Sequence, residues 1–187
     1  QYVDRTSGRT QTFFGDGIVS HVSMADPTSP VLRELIEASV NSCDITLHNK
    51  GTYICMEGPA FSTRAESELY RQWGMDIIGM TAMPEAKLAR EAELRYATLA
   101  LVTDYDCWRV EEEAVSVEAV MAILKQNTAN VKRVLSDLIP RLGQAVKQGT
   151  SCPVTDGAMK FAVITSKELI PKERLADLEP LIGRYVS

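Results

Sequence analysis

A chain of 187 residues has the length of one domain, and with 45% hydrophobic and 24% charged residues it excludes a fibrous or disordered polymer and can bury a sizeable core. The net charge is −5 and no Lys/Arg stripe occurs, which argues against nucleic acid as a partner. No apolar run approaches the ~20 residues of a membrane span, no signal-peptide pattern opens the chain, and a cytoplasmic setting is the expectation.

Residues 1–17 are rich in Gly, Ser, Thr and Arg and read as a loop, with Phe13 and Phe14 as an anchor. Val19 to Met24 alternates weakly and is predicted as a strand carrying His21. A lone histidine in such a run is more often structural than a ligand. Ser29-Pro30 opens a helix with a cap residue followed by Pro in the first turn, and Leu32, Leu35, Ile36 and Val40 share one of its faces. Gly51 to Met56 reads as a buried strand. In the loop that follows, Thr63 and Glu66 have capping-box spacing for a helix from Arg64 to Trp73, ended by Gly74. Phe61, in the same loop, either tucks into the core or stacks on a ligand.

Asp76 to Met80 is a short strand, Pro84 sits near the start of a helix running to Ala92, and Tyr96 to Val102 is a further buried strand. Asp76 to Val102 therefore reads as a βαβ crossover that brings Thr81 and Thr103 to one sheet edge. Loops at the carboxyl ends of strands are where ligands bind in α/β proteins. The three loops after Met56, Met80 and Val102 are taken as one site. Beyond them, Glu111-Glu112-Glu113 reads as a solvated face and Val117 to Leu138 as a long helix stopped at Pro140. A loop over 143–157, a strand over Met159 to Ile164 and one or two short amphipathic helices from Lys167 complete a single α/β domain.

Asp104 and Asp106 lie one residue apart, so in extended chain both point to one side. Two carboxylates so close tend to raise one pKa, which permits one to donate while the other accepts. That pair matches the 6-amino group and N7 of an aminopurine, with Phe61 as a stacking face and the Thr81 hydroxyl as a donor. Two other roles fit the same spacing: capping of the turn before Trp108 and magnesium binding. Cys43, Cys55, Cys107 and Cys152 lack CxxC spacing and the only histidines are His21 and His48, so zinc has little support and reduced thiols are expected.

At these residues the chain resembles the methylthioadenosine phosphorylase branch of the purine nucleoside phosphorylase superfamily. The resemblance rests on Glu57-Gly58-Pro59-x-Phe61-Ser62-Thr63-Arg64-Ala65-Glu66-Ser67, on Met80-Thr81-x-x-Pro84-Glu85-x-x-Leu88-Ala89-Arg90-Glu91 and on Thr103-Asp104-Tyr105-Asp106-Cys107-Trp108. It extends less densely to Asp4-Arg5-Thr6, to His21 with Met24-Ala25-Asp26-Pro27 and to Glu112-Glu113-Ala114-Val115-Ser116-Val117, so it covers roughly residues 1–140. It implies a three-layer, mixed-sheet nucleoside phosphorylase fold and phosphorolysis of 5'-methylthioadenosine to adenine and 5-methylthioribose 1-phosphate, in methionine and purine salvage. Phosphate is a co-substrate there, and neither metal nor organic cofactor is needed. By position, the resemblance makes Asp104 the general acid or hydrogen-bond partner at N7, Asp106 the reader of the 6-amino group and Ser62 a further contact to the substrate, with Phe61 packed on the purine, Met80 under the ribose and Thr81 helping to hold phosphate. His21, from a neighbouring subunit of a trimer, and Val117, Val120 and Met121 enclose the methylthio end.

Relatives that use 6-oxopurines carry an amide at position 104 and a glutamate at 62, so Asp104 and Ser62 favour the adenine-type base. Gly79 stands where some members have asparagine. The resemblance also implies an N-terminal section carrying most of the phosphate site, which is not in this sequence; the chain then corresponds to the C-terminal part of the domain, completed by that section. An inosine- or guanosine-directed phosphorylase and a non-catalytic nucleoside-binding remnant are the alternatives.

Overall fold

The computed structural model describes residues 1–109 and 117–186. In chain order it contains β1 (Tyr2–Arg5), α1 (Pro30–Ser42), β2 (Tyr53–Met56), α2 (Arg64–Gln72), β3 (Ile77–Gly79), α3 (Ala82–Glu91), α4 (Val117–Lys147), a 3-10 turn (Lys167–Leu169) and α5 (Lys172–Val186). The chain is α/β, as expected. The described sheet is parallel throughout, in the order β1-β2-β3, with Val3 opposite Ile54 and Ile54 opposite Ile78. A strand covered on both faces reads as a continuous apolar run, and β2 is such a strand: Ile54 and Cys55 are wholly buried. Because all three strands run the same way, the segments after Arg5, Met56 and Gly79 leave the sheet at one edge.

The helices start where their caps dictate. The Ser29 hydroxyl accepts from the Leu32 amide ahead of Pro30. Thr63 and Glu66 form the complete capping box of α2, each side chain satisfying the other's backbone amide. Gly74, with φ of 76°, follows the end of α2.

Four expectations change. Tyr2–Arg5 is a strand rather than part of an opening loop, because β2 offers it a complete parallel register that its own four residues do not advertise. Neither 19–24 nor 159–164 becomes a strand; they meet only at one antiparallel bridge, Ser20 with Val163, and a single bridge is no ladder. Tyr96 to Val102 pairs with no strand, so the Asp76–Val102 crossover does not form and the parallel neighbour of β3 is β2. The run is instead pinned at separate points. The Ser29 amide donates to Tyr96 O, the Tyr2 and Thr98 hydroxyls lie 2.6 Å apart, and Asn127 Nδ2 donates to Val102 O.

Helix α4 passes through Pro140 to Lys147, taking in the start of the expected loop. Proline in a helix removes one backbone hydrogen bond at a cost of ~3 kcal/mol. The apolar stripe toward α1, with Val134 and Leu138 buried, outweighs that loss, and Pro140 itself faces solvent.

Among the described residues two clusters of buried side chains stand out. Cys55, Met83 and Ala86 pack beneath the sheet with Tyr2, Met24 and Tyr96, while Phe14, Ile18, Met159, Ala162, Ile170, Leu178 and Ile182 join the opening loop to the tail. Phe14 is the expected anchor, and Phe13 is exposed. Gly79 is no minor replacement for asparagine: a Cβ there would lie 2.0 Å from the Tyr53 hydroxyl oxygen.

Candidate functional site

The site forms at the carboxyl edge of the sheet. After β2, Glu57 turns back toward the loop that follows β1, Gly58 adopts a φ of 76°, and the chain passes Pro59 and Ala60 to Phe61, whose side chain is 84% exposed. Phe61 therefore does not tuck into the core. The Ser62 hydroxyl points back to the Met56 sulfur at 3.4 Å. After β3 the chain passes Met80 and reaches Thr81, which stands at the N-cap position of α3, is exposed and makes no side-chain capping bond. Met80 touches the first loop: its sulfur would lie 2.9 Å from a Cβ at Gly58, where the φ of 76° favours glycine.

The third loop joins the first through two contacts. The Ser67 hydroxyl, buried on α2, donates to Asp106 Oδ2 at 2.5 Å, and the Cys107 thiol reaches Ser62 O at 3.5 Å. Asp106 Oδ1 also accepts from the Cys107 amide at 2.8 Å. One of the two aspartates thus has the turn-capping role as well as a fixed orientation. Asp104 is exposed and has no partner among the described residues. The loop is braced by Arg71, stacked 3.7 Å over the Trp108 ring, and by the T-shaped contact of Tyr105 with Trp108.

Not every candidate joins this cluster. His21 is exposed on the segment after β1, its amide donating to Ala162 O. Val117 is described only as the first residue of α4, and the run Glu111 to Ser116 lies outside the described residues. Val120 is half-buried and Met121 is 59% exposed on the same helix, which Asn127 ties to Val102, next to Thr103. Met121 also lines an open depression of about 770 Å³ with Leu124, Lys125 and Thr128. Among the described residues no group of three or more His, Cys, Asp or Glu side chains is placed to hold a metal ion, all four cysteines are free, and no helix is long and apolar enough to cross a membrane.

Ser67 and Arg9 are the residues that sequence reasoning passed over. Ser67 stands inside the Glu57–Ser67 motif with no local signal of a role, and Arg9 sits in a loop with no periodicity to single it out. Arg9 donates from Nε to both Glu57 carboxylate oxygens at 3.0 Å. The loop that carries it follows β1, where the Asp4 carboxylate accepts from the Thr6 amide and hydroxyl and from Lys87 Nζ at 2.6 Å. Burial alone would raise the pKa of Asp4, but the Lys87 ammonium and the Thr6 donors outweigh it and hold the carboxyl below its ordinary value. A lowered folded-state pKa contributes stability above the unfolded value, near 3.8, that is lost as pH falls through the folded one. Asp4→Asn should therefore lower the melting temperature at pH 7, and the difference from wild type should shrink in melts taken below pH ~4. An undiminished difference in acid would contradict this.

A family profile described as the phosphorylase superfamily matches residues 1–140. Among curated proteins, the chain is 48% identical over 191 residues to the S-methyl-5'-thioadenosine phosphorylase of Thermosynechococcus vestitus, covering 100% of this chain and 64% of that protein. The S-methyl-5'-thioadenosine phosphorylase of Rhodospirillum rubrum is 52% identical over 190 residues, covering 100% and 63%. Among solved structures, a methylthioadenosine phosphorylase from an antarctic soil metagenomic library superposes with a TM-score of 0.87 at 44% identity, over 97% of this chain and 63% of that one. The methylthioadenosine phosphorylase of Schistosoma mansoni, solved in complex with adenine, gives 0.70 at 34% identity over 76% and 57%. The chain thus spans just under two thirds of the length of the curated relatives it matches.

Proposed function

The chain belongs to the phosphorylase superfamily, and on that premise we propose that the complete protein cleaves 5'-methylthioadenosine with phosphate, giving adenine and 5-methylthioribose 1-phosphate. The observation that carries this reading is the division of labour between the two aspartates: Asp106 is oriented by Ser67 and the Cys107 amide, while Asp104 is left without a partner beside it. An oriented acceptor suits an exocyclic amino group, and a free carboxyl suits a proton delivered to N7. The names of the relatives support the same substrate.

In this mechanism the C1'–N9 bond breaks as a phosphate oxygen bonds to C1'. Adenine departs with its negative charge taken up at N7, where Asp104 supplies the proton. The ribosyl group passes through an oxocarbenium-like state, so rate comes from positioning and leaving-group stabilisation. Phe61 covers the base, Met80 lies beneath the sugar, and the uncapped Thr81 hydroxyl is free to bind phosphate. Val117, Val120 and Met121 line the methylthio pocket, closed by His21 from a neighbouring subunit of a homotrimer. We place the protein in the cytoplasm and assign the chain to the C-terminal part of the domain. The rest of the family's length completes each site, and no metal or organic cofactor takes part.

Adenine release from methylthioadenosine, measured with and without phosphate alongside the intact mass, tests the reading. Phosphate-dependent release is expected, with methylthioadenosine preferred over inosine; a preference for inosine would overturn it. Phe61→Ala should raise KM for methylthioadenosine by about 5- to 100-fold, since an aromatic–base stack is worth ~1–3 kcal/mol, with kcat less affected. An unchanged KM would remove Phe61 from the base site.

A further inference from the structure

Arg9 makes three hydrogen bonds to backbone carbonyls, at the exits of two different strands and the first turn of α3, and a further one to a carboxylate. A guanidinium presents five N–H donors in a rigid plane. Here Nε is shared between the two Glu57 carboxylate oxygens, Nη2 donates to Glu57 O at 2.8 Å, and Nη1 donates to Met80 O at 2.7 Å and Met83 O at 2.8 Å. Glu57 O belongs to the peptide that begins the Phe61 loop, and Met80 O to the peptide that leads into Thr81. The carboxylate is itself fixed by the Ser7 amide at 2.7 Å, and this bond, together with Arg9, keeps Glu57 ionised below the ordinary carboxylate range.

The segment that carries Arg9 is anchored on both sides of it. Lys87 Nζ bridges Asp4 and Gln11 at 2.6 Å each, and buried Glu91 accepts from the Thr12 hydroxyl and the Phe13 amide. The guanidinium is thus held by α3 and in turn holds the exits of β2 and β3.

We propose that Arg9 is a positioning residue, one that sets the spacing between the loop contacting the base and the turn contacting sugar and phosphate. Its catalytic consequence rests on the phosphorolysis reading; its structural consequence does not. Lysine cannot replace it, because an ammonium is a point donor that does not span the two loops.

In the complete protein, Arg9→Ala and Arg9→Lys should both lower kcat by about 10²-fold, the scale of a ~1 Å misplacement of reacting groups. KM for methylthioadenosine should change less than about threefold, because the residues that touch the base remain. Methylguanidinium added to Arg9→Ala, but not methylammonium, should recover at least about tenfold of the loss, since it restores the charged hydrogen bonds. Wild-type kcat in Arg9→Ala, or a loss that methylguanidinium does not relieve, would overturn the proposal.

If the wild-type protein releases no adenine, the phosphorolysis reading fails while the clamp is decided by amide hydrogen exchange. Arg9→Ala should then speed exchange about tenfold in both 58–62 and 80–82, reversed by methylguanidinium, with α1 unaffected. Acceleration in only one stretch, or in neither, would refute the clamp.

Discussion

Replacing Asp104 by alanine should lower turnover of methylthioadenosine in the complete protein by about 10²- to 10⁴-fold, the range lost with a general acid. The argument is geometric. Asp106 already accepts from Ser67 and from the Cys107 amide, so it is held as an acceptor, whereas the Asp104 carboxyl is exposed and makes no bond among the described residues. A neutral leaving adenine requires a proton at N7, and among the described residues of this loop no other carboxyl is free to bring it. Asp104→Asn should lose most of the same factor while keeping the size of the side chain, and should relax the preference against 6-oxopurines, whose N7 and O6 suit an amide. Steady-state rates for methylthioadenosine and inosine with both variants test this. Near wild-type turnover in either would show that Asp104 is not the acid.

Ile54→Ala should be the most damaging single truncation in the sheet, costing ~2–5 kcal/mol, the range for emptying a fully buried aliphatic position. Ile54 is 0% exposed and stands between Val3 and Ile78 in the register of the three strands. Its removal opens a void at the middle one of the three positions, Tyr53 to Cys55, that both ladders share, where neither neighbouring strand can close in without breaking its own pairing. For a chain of this size the loss corresponds to a fall in melting temperature of about 4–20 °C. Leu169→Ala serves as the control: that side chain is 72% exposed, and truncation should shift stability by less than ~0.5 kcal/mol. Equal effects from the two would mean that the sheet is not the stabilising centre.

The candidate site was legible in the sequence wherever local structure is written in consecutive residues. Thr63 with Glu66 announced the start of α2, and Asp104 with Asp106 announced two carboxylates on one turn. The two aspartates nevertheless took different environments, because Ser67, far away in sequence, reaches only one of them. Periodicity misled where a partner was needed. Tyr96 to Val102 has the composition of a strand but no ladder, and Tyr2–Arg5 lacks that composition but has one.

The sequence by itself determined the class of fold, the helix starts, the apolar identity of β2 and the placing of two carboxylates on one turn. These are local properties, set by caps, by side-chain chemistry and by runs of adjacent residues. Only the tertiary structure decided which strands pair, that α4 continues through Pro140, and that Arg9 joins the exits of β2 and β3. Each of these depends on groups brought together from distant parts of the chain. A backbone hydrogen bond or a buried stripe has no energy until its partner is present, and no local pattern records where that partner will come from.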